Sequence, residues 1–224
     1  MCHMNKIKIL IADDHAVVRD GTRQILEHEP DLDVVAEAAD GAEAILLAGS
    51  AKPDVAIIDI AMPGVDGIEA TRQIKSLYPS IAVLILSAYD DDQFVFSLLE
   101  AGAAGYLLKS VRGRELVDAV RQVFAGESVL HPSIARKVLN RFVPAGGKAA
   151  GQKSTEVLSD REIEVLKYAT RGLSNQDIAD ELCLSLRTVQ AHLGHIFNKL
   201  QVSSRTEAVV RALKEGWVTL DDIP

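Results

Sequence analysis

Three carboxylates, a hydroxyl and an ammonium stand at the ends of apolar runs in this chain. Asp13 and Asp14 close "IKILIADD", Asp59 closes "DVAIID", Ser87 closes "IAVLILS" and Lys109 closes "GYLLK". Each run reads as a buried strand, and burying unpaired carboxylates beside one is costly. In an open parallel sheet the carboxyl ends of the strands share one rim, so these five groups would meet there. Clustered carboxylates repel each other unless a cation neutralises them, and an all-oxygen site with open positions suits Mg²⁺. With Mg²⁺ held by Asp13, Asp14 and Asp59, the Asp59 carboxylate can attack a phosphoryl group in line. The metal, Lys109 and Ser87 would then hold the equatorial oxygens. Pro63 and Gly67, in "DIAMPGVDG", would shape the turn behind this nucleophile.

The elements that must position these groups alternate from Ile7 to about Ala125. "IKILIA" precedes a helical stretch from His15 to Glu29, "DVVAEA" precedes Gly41 to Ala51, and "DVAIID" precedes Asp66 to Leu77. "IAVLILS" is followed by Asp91 to Ala103, and "GYLLK" by Arg112 to Ala125. Five strand and helix alternations in tandem predict an α/β domain, a five-stranded parallel sheet covered on both faces with right-handed crossovers.

The length of 224 residues suits two small domains. A hydrophobic content of 48% with 25% charged residues is that of a soluble globular protein. No apolar run approaches the roughly 18 residues of a membrane span. Cys2 and Cys183 are far apart and in no metal-binding or disulfide pattern, which fits a reducing cytoplasm. No secretory signal is visible, and the leading "MCHM" reads as an unstructured cloning remnant. The net charge of −8 argues against a nucleic-acid partner unless positive charge is locally concentrated.

After Ala125 a further helix is expected in "HPSIARKVLNRF", followed by a flexible linker, Val143 to Glu156, rich in Gly, Ala and Lys. The remainder has no strand pattern. Ser159 with Glu162 and Ser174 with Asp177 have capping-box spacing, Ser185 can cap a third helix, and a fourth runs from about Ser204 to Glu215. These predict a compact four-helix, all-α domain. The boundaries are 5–127 for the first domain, 128–156 for the linker helix and linker, and 157–224 for the second domain.

"IADDH", "DIAMPGVDG", "LSAYD" and "GYLLKS" resemble, in order and spacing, the motifs of receiver domains of two-component response regulators. The resemblance implies a flavodoxin-like or CheY-like receiver in which Asp59 accepts a phosphoryl group from a sensor histidine kinase. It also implies that Asp13 and Asp14 help to hold Mg²⁺, that Ser87 and Lys109 sense the phosphoryl group, and that the rotamer of Tyr106 reports on it. Ser110 stands where many receivers carry proline. Taken singly, Asp14 can be a helix N-cap, His15 a helix-start residue and Tyr106 a core residue. An aspartyl-phosphate phosphatase of the haloacid dehalogenase type would need a second acid two residues after the nucleophile; Ala61 stands there. Turnover of outside substrates is therefore not expected, only slow loss of the protein's own phosphoryl group.

"LSDRE", "GLSNQDIA", "LSLRTVQAHLGHIFNKL" and "SSRTEAV" resemble the helix-turn-helix domain of the LuxR, NarL and FixJ family. Ile178, Ala179, Leu182, Val189 and Ile196 have the spacing that packs two helices together. Leu182 to Thr206 contains no acidic residue but includes Arg187, Lys199 and Arg205. From Ala150 onward there are nine basic and eleven acidic residues, so this local +3 stands out within a net −2. The resemblance implies that Arg187, Thr188, Gln190, Ala191 and Gly194 lie near the major groove of double-stranded DNA. Asn198, Lys199, Ser203 and Ser204 are candidates for phosphate contacts. Gln190 replaces the family's usual Lys, which lowers salt dependence or shifts the contact toward adenine, and Gly194 allows close backbone approach. The expected protein is a phosphorylation-controlled transcription regulator, a homodimer when phosphorylated or DNA-bound, pairing through the helix bearing Ala208, Val209 and Leu213. Two alternatives remain for the helices: a protein-binding bundle, which would make the chain a regulator without specific DNA binding, and a sigma-factor-like promoter-binding region. His192 and His195 lack the companions of a metal site, and Cys183 is expected in the core.

Overall fold

The computed structural model describes residues 6–88, 97, 98, 100–130, 158–202 and 204–218. The "MCHM" start, most of the helix expected over 91–103, the helix after His131 and the linker lie outside these residues. The chain divides into two compact units, Met1–Ile134 and Ala135–Pro224.

In the first unit the elements run β1 (Ile7–Ala12), α1 (Ala16–Glu27), β2 (Leu32–Ala38), α2 (Gly41–Ala51), β3 (Val55–Ile58) and α3 (Gly67–Leu77). β4 (Ala82–Ser87), β5 (Gly105–Leu108), α4 (Gly113–Phe124) and β6 (Val129–Leu130) follow. The strands form one parallel sheet in the order β2-β1-β3-β4-β5-β6. β1 and β3 to β5 are buried almost throughout because helices cover both faces. Ile9, Ile11, Val55, Ile57, Leu84, Leu86 and Leu107 form one core with Leu26 of α1 and Leu116, Val117, Val120 and Val123 of α4. The alternate strand residues Leu10, Ala56, Ile58, Val83, Ile85 and Tyr106 are buried on the opposite face.

The sixth strand departs from the five-strand expectation. β6 is two residues long, too short to carry a periodic signal, and pairs Val129 with Gly105 and Leu130 with Tyr106 along the free edge of β5. Residues assigned from sequence to the start of the linker therefore extend the sheet. Gly105 leaves room for that strand, since a Cβ there would come within 2.9 Å of the Val129 carbonyl oxygen.

The second unit contains α5 (Asp160–Thr170), α6 (Asn175–Glu181), α7 (Leu186–Leu200) and α8 (Arg205–Lys214). Ser159 with Glu162 and Ser174 with Asp177 form capping boxes, and Ser185 accepts a hydrogen bond from the Thr188 backbone N–H. Val165, Leu166, Ile178, Ala179, Val189, Leu193, Ile196 and Leu200 form the core, with Leu182 packed against it. Cys183 lies outside this core, contrary to the sequence expectation. It is exposed, has φ +52°, and closes the turn between α6 and α7. There its N–H donates to the Asp180 carbonyl and the Leu184 N–H to the Ala179 carbonyl, the hydrogen-bond pair of a left-handed helix stop.

Candidate functional site: an acidic rim and an outward helix face

The chain leaves β1 toward one edge of the sheet, through β2, and returns from β3 toward the other, so the order reverses between β1 and β3. Such a switch point opens a crevice at the carboxyl ends of the two strands. Asp13 and Asp59 follow the paired residues Ala12 and Ile58, one on each side of that crevice. The Asp59 N–H donates to the Ala12 carbonyl and the Asp13 N–H to the Ala38 carbonyl, which holds the rim to three strands.

The Lys109 ammonium reaches both buried aspartates, 2.6 Å from Asp13 Oδ2 and 2.8 Å from Asp59 Oδ2. Burial works against its charge, yet the hydrogen bonds it donates to Asp13 and Asp59 hold its pKa above the ordinary lysine value. The second Asp59 oxygen accepts from the Ile60 N–H and the second Asp13 oxygen from the His15 N–H. Arg19 donates to the Asp13 carbonyl and secures the loop from α1. Asp14 is exposed rather than buried, with its carboxylate 2.7 Å from His15 Nδ1, and the N-cap of α1 is His15. One ligand atom each from Asp13, Asp14, His15 and Asp59 lies within 4.8 Å of the others. Three carboxylates against one ammonium leave two negative charges, so a divalent, oxygen-preferring cation fits this donor set.

Ser87 ends β4, fully buried, and its carbonyl accepts from the Lys109 N–H. Tyr106 is fully buried one step inside the rim, in the register row Ala12, Ile58, Ile85, Tyr106. Pro63 is exposed, whereas Gly67 is buried against the Asp59 backbone. A Cβ at Gly67 would fall 2.1 Å from the Asp59 carbonyl oxygen and 2.8 Å from Ile60 Cα, so no other residue fits there.

In the second unit α7 buries Val189, Leu193, Ile196 and Leu200 and turns Arg187, Gln190, Ala191, His195 and Asn198 outward, with Gly194 half-exposed. The Thr188 hydroxyl lies 2.7 Å from Ser185 Oγ, within the helix cap.

Three residues of the positive segment and its phosphate candidates have partners within the unit. The Lys199 ammonium, partly exposed, is paired 2.7 Å from the buried Glu162 carboxylate. Ser204 is buried and its hydroxyl accepts from the Glu207 N–H at the start of α8. Arg205, counted in the local positive charge, is also buried, donating to Asn175 Oδ1 and to the Ala169 and Leu173 carbonyls. Of the cations in the acid-free segment, Arg187 alone remains exposed among the described residues. Ser203 lies outside them. The partner that sequence reasoning missed is Glu162. Its capping-box spacing was legible, but its bond to a lysine 37 positions away was not.

Comparison with known proteins agrees with both halves. The response regulator receiver domain matches residues 9–121, and the domain of bacterial regulatory proteins of the luxR family matches residues 156–212. The chain is 39% identical to the transcriptional regulatory protein DegU of Brevibacillus brevis over 226 residues, covering 96% of each chain. It is similar to the crystal structure of the response regulator ChrA of a heme-sensing two-component system, with 41% identity, a TM-score of 0.52, and coverage of 96% of this chain and 100% of ChrA. It is also similar to a structure of two RcsB dimers bound to two parallel DNAs, with 26% identity, a TM-score of 0.56, and coverage of 96% of this chain and 100% of RcsB. With its acidic rim on a parallel sheet and its capped helix-turn-helix, the chain belongs to the response regulators that join a receiver domain to a LuxR-family DNA-binding domain.

Proposed function

We propose that this protein is a phosphorylation-controlled DNA-binding transcription regulator in which Asp59 accepts a phosphoryl group from a sensor histidine kinase. The observation that carries the assignment is the bridge from Lys109 to both Asp13 and Asp59 at the switch point of the sheet. An Asp59 carboxylate oxygen forms the new O–P bond as the N–P bond of the kinase phosphohistidine breaks, and the departing imidazole takes a proton. Backbone donation from Ile60 orients the carboxylate, and its buried setting excludes bulk water. Asp13, Asp14 and Asp59 would hold Mg²⁺, which supplies charge neutralisation for the incoming phosphoryl oxygens.

Once Asp59 is modified, Lys109 exchanges its carboxylate partner for a phosphoryl oxygen, and the Ser87 hydroxyl offers a second contact. These contacts favour a receiver state with a different surface, in which Tyr106 takes another rotamer. Chemistry at the rim ends there, apart from slow hydrolysis of the protein's own acyl phosphate, because Ala61 offers no general acid. The outward face of α7 supports DNA reading in the major groove. Arg187 suits guanine and Gln190 suits adenine, and Asn198 is available for a phosphate. The dimeric RcsB complex supports a homodimer on DNA. No helix among the described residues is long and apolar enough to cross a membrane, in keeping with a cytoplasmic regulator.

The test is intact mass after incubation with acetyl phosphate, with and without Mg²⁺, for the natural chain and Asp59→Asn. One added phosphoryl group that needs Mg²⁺ and vanishes in the variant is the expected result. An equal gain in Asp59→Asn would move the acceptor elsewhere and overturn the assignment.

A further inference from the structure

We infer that Gly194 is the point at which α7 comes closest to DNA, and that glycine stands there at the expense of the helix's own stability. This rests on the DNA reading proposed above and deepens it. Gly194 is the ninth of the 15 residues of α7, inside the helix, where glycine is less stable than alanine. Other glycines have internal reasons: Gly67 has no room for a Cβ, and Gly172 has φ +79°. Gly194 has neither. Its φ is not positive, and beyond its chain neighbours and its own helix backbone a Cβ built there meets no atom of the described residues within 4 Å. Gly21 in α1 is equally open, but what separates Gly194 is its neighbourhood. It lies between the exposed base-reading candidates Arg187 and Gln190 and the exposed polar residues His195 and Asn198, on the side opposite Val189, Leu193 and Ile196.

Among the described residues, therefore, no packing or backbone constraint selects glycine at this position, while the polar residues around it face outward. Removing the side chain lets the helix backbone sit deeper in the groove, which brings the shorter Gln190 side chain within reach of a base edge. Arg187 supplies the exposed cation of this helix, so depth of insertion must provide much of the binding that charge does not.

The experiment uses the full chain with acetyl phosphate and Mg²⁺ and the duplex it enriches from a randomised pool of DNA. Binding to that duplex is followed by fluorescence anisotropy, and unfolding by the tryptophan signal, for the natural chain, Gly194→Ala and Gly194→Leu. Gly194→Ala is expected to raise the Tm of the DNA-binding unit by a few degrees and to weaken binding about tenfold, with Gly194→Leu weaker still. Opposite signs are what a purely structural role would not produce. Affinities of both variants within about twofold of the natural chain would overturn the inference and leave the DNA reading intact. A fall in both stability and affinity for Gly194→Ala would overturn it as well, by giving the glycine an internal role. If the pool yields no enriched duplex, the DNA reading fails and the inference falls with it.

Discussion

Replacing Glu162 by Gln tests the ion pair that holds Lys199 against the buried start of α5. Burial alone would raise the Glu162 pKa, but the Lys199 ammonium and the Ser159 backbone N–H and hydroxyl lower it to about 2, from the ordinary 4.5. Each pK unit corresponds to about 1.4 kcal/mol, so the shift represents at most about 3 kcal/mol, and the partial exposure of Lys199 reduces this to about 2 kcal/mol. A depressed carboxylate contributes stability that is complete above its unfolded pKa near 4.5 and is lost as pH falls toward about 2. Glu162→Gln retains an acceptor for the Ser159 N–H but leaves Lys199 without its charge partner. Its DNA-binding unit should be less stable by about 2 kcal/mol at pH 7, and the loss of stability between about pH 5 and pH 2 should flatten. Trp217, the single tryptophan, packs against the core of this unit and reports its unfolding in urea without interference from the receiver. A loss below about 0.5 kcal/mol together with an unchanged acid limb would refute the assignment of Lys199 to a structural pair.

Gly67→Ala places a Cβ 2.1 Å from the Asp59 carbonyl oxygen, so the receiver should lose about 2 kcal/mol or more in urea unfolding and accept phosphoryl groups slowly from acetyl phosphate. In DNA titrations over a range of salt concentrations, Arg187→Ala should reduce the slope of log K against log salt by about one, whereas Lys199→Ala should leave it near that of the natural chain. Equal reductions for both would return Lys199 to the phosphate-contacting set. Cys183→Gly should stabilise the DNA-binding unit by about 1 kcal/mol, since glycine adopts the left-handed conformation at φ +52° without the cost of a Cβ. A lower urea midpoint would show that the cysteine side chain contributes to the turn.

The residues of the acidic rim were legible because a strand buried on both faces tolerates few charged residues. Asp13, Asp59, Ser87 and Lys109 each stood out at the end of an apolar run. The capping serines were legible for an equally local reason, since Ser159 and Ser174 satisfy backbone donors only three residues away. β6 was not, because two residues carry no period and its pairing depends on the free edge of β5. Cys183 misled in a different way. Its type favours burial, but its place at the turn between α6 and α7 decided its exposure.

What the sequence determined by itself was therefore the set of elements and the identity of the groups at their ends, because periodicity and capping act over a few residues. What only the tertiary structure decided was how the charges pair. Lys109 reaches Asp13 and Asp59 across 96 and 50 positions, and Lys199 and Arg205 turn inward to Glu162 and to Asn175, Ala169 and Leu173. A cation's sequence neighbours do not reveal which buried acceptor lies within its reach, since Coulomb attraction and desolvation depend on distance and burial in space. The positive segment read along the chain thus becomes, once folded, a face on which Arg187 is the exposed cation and Gly194 the open position.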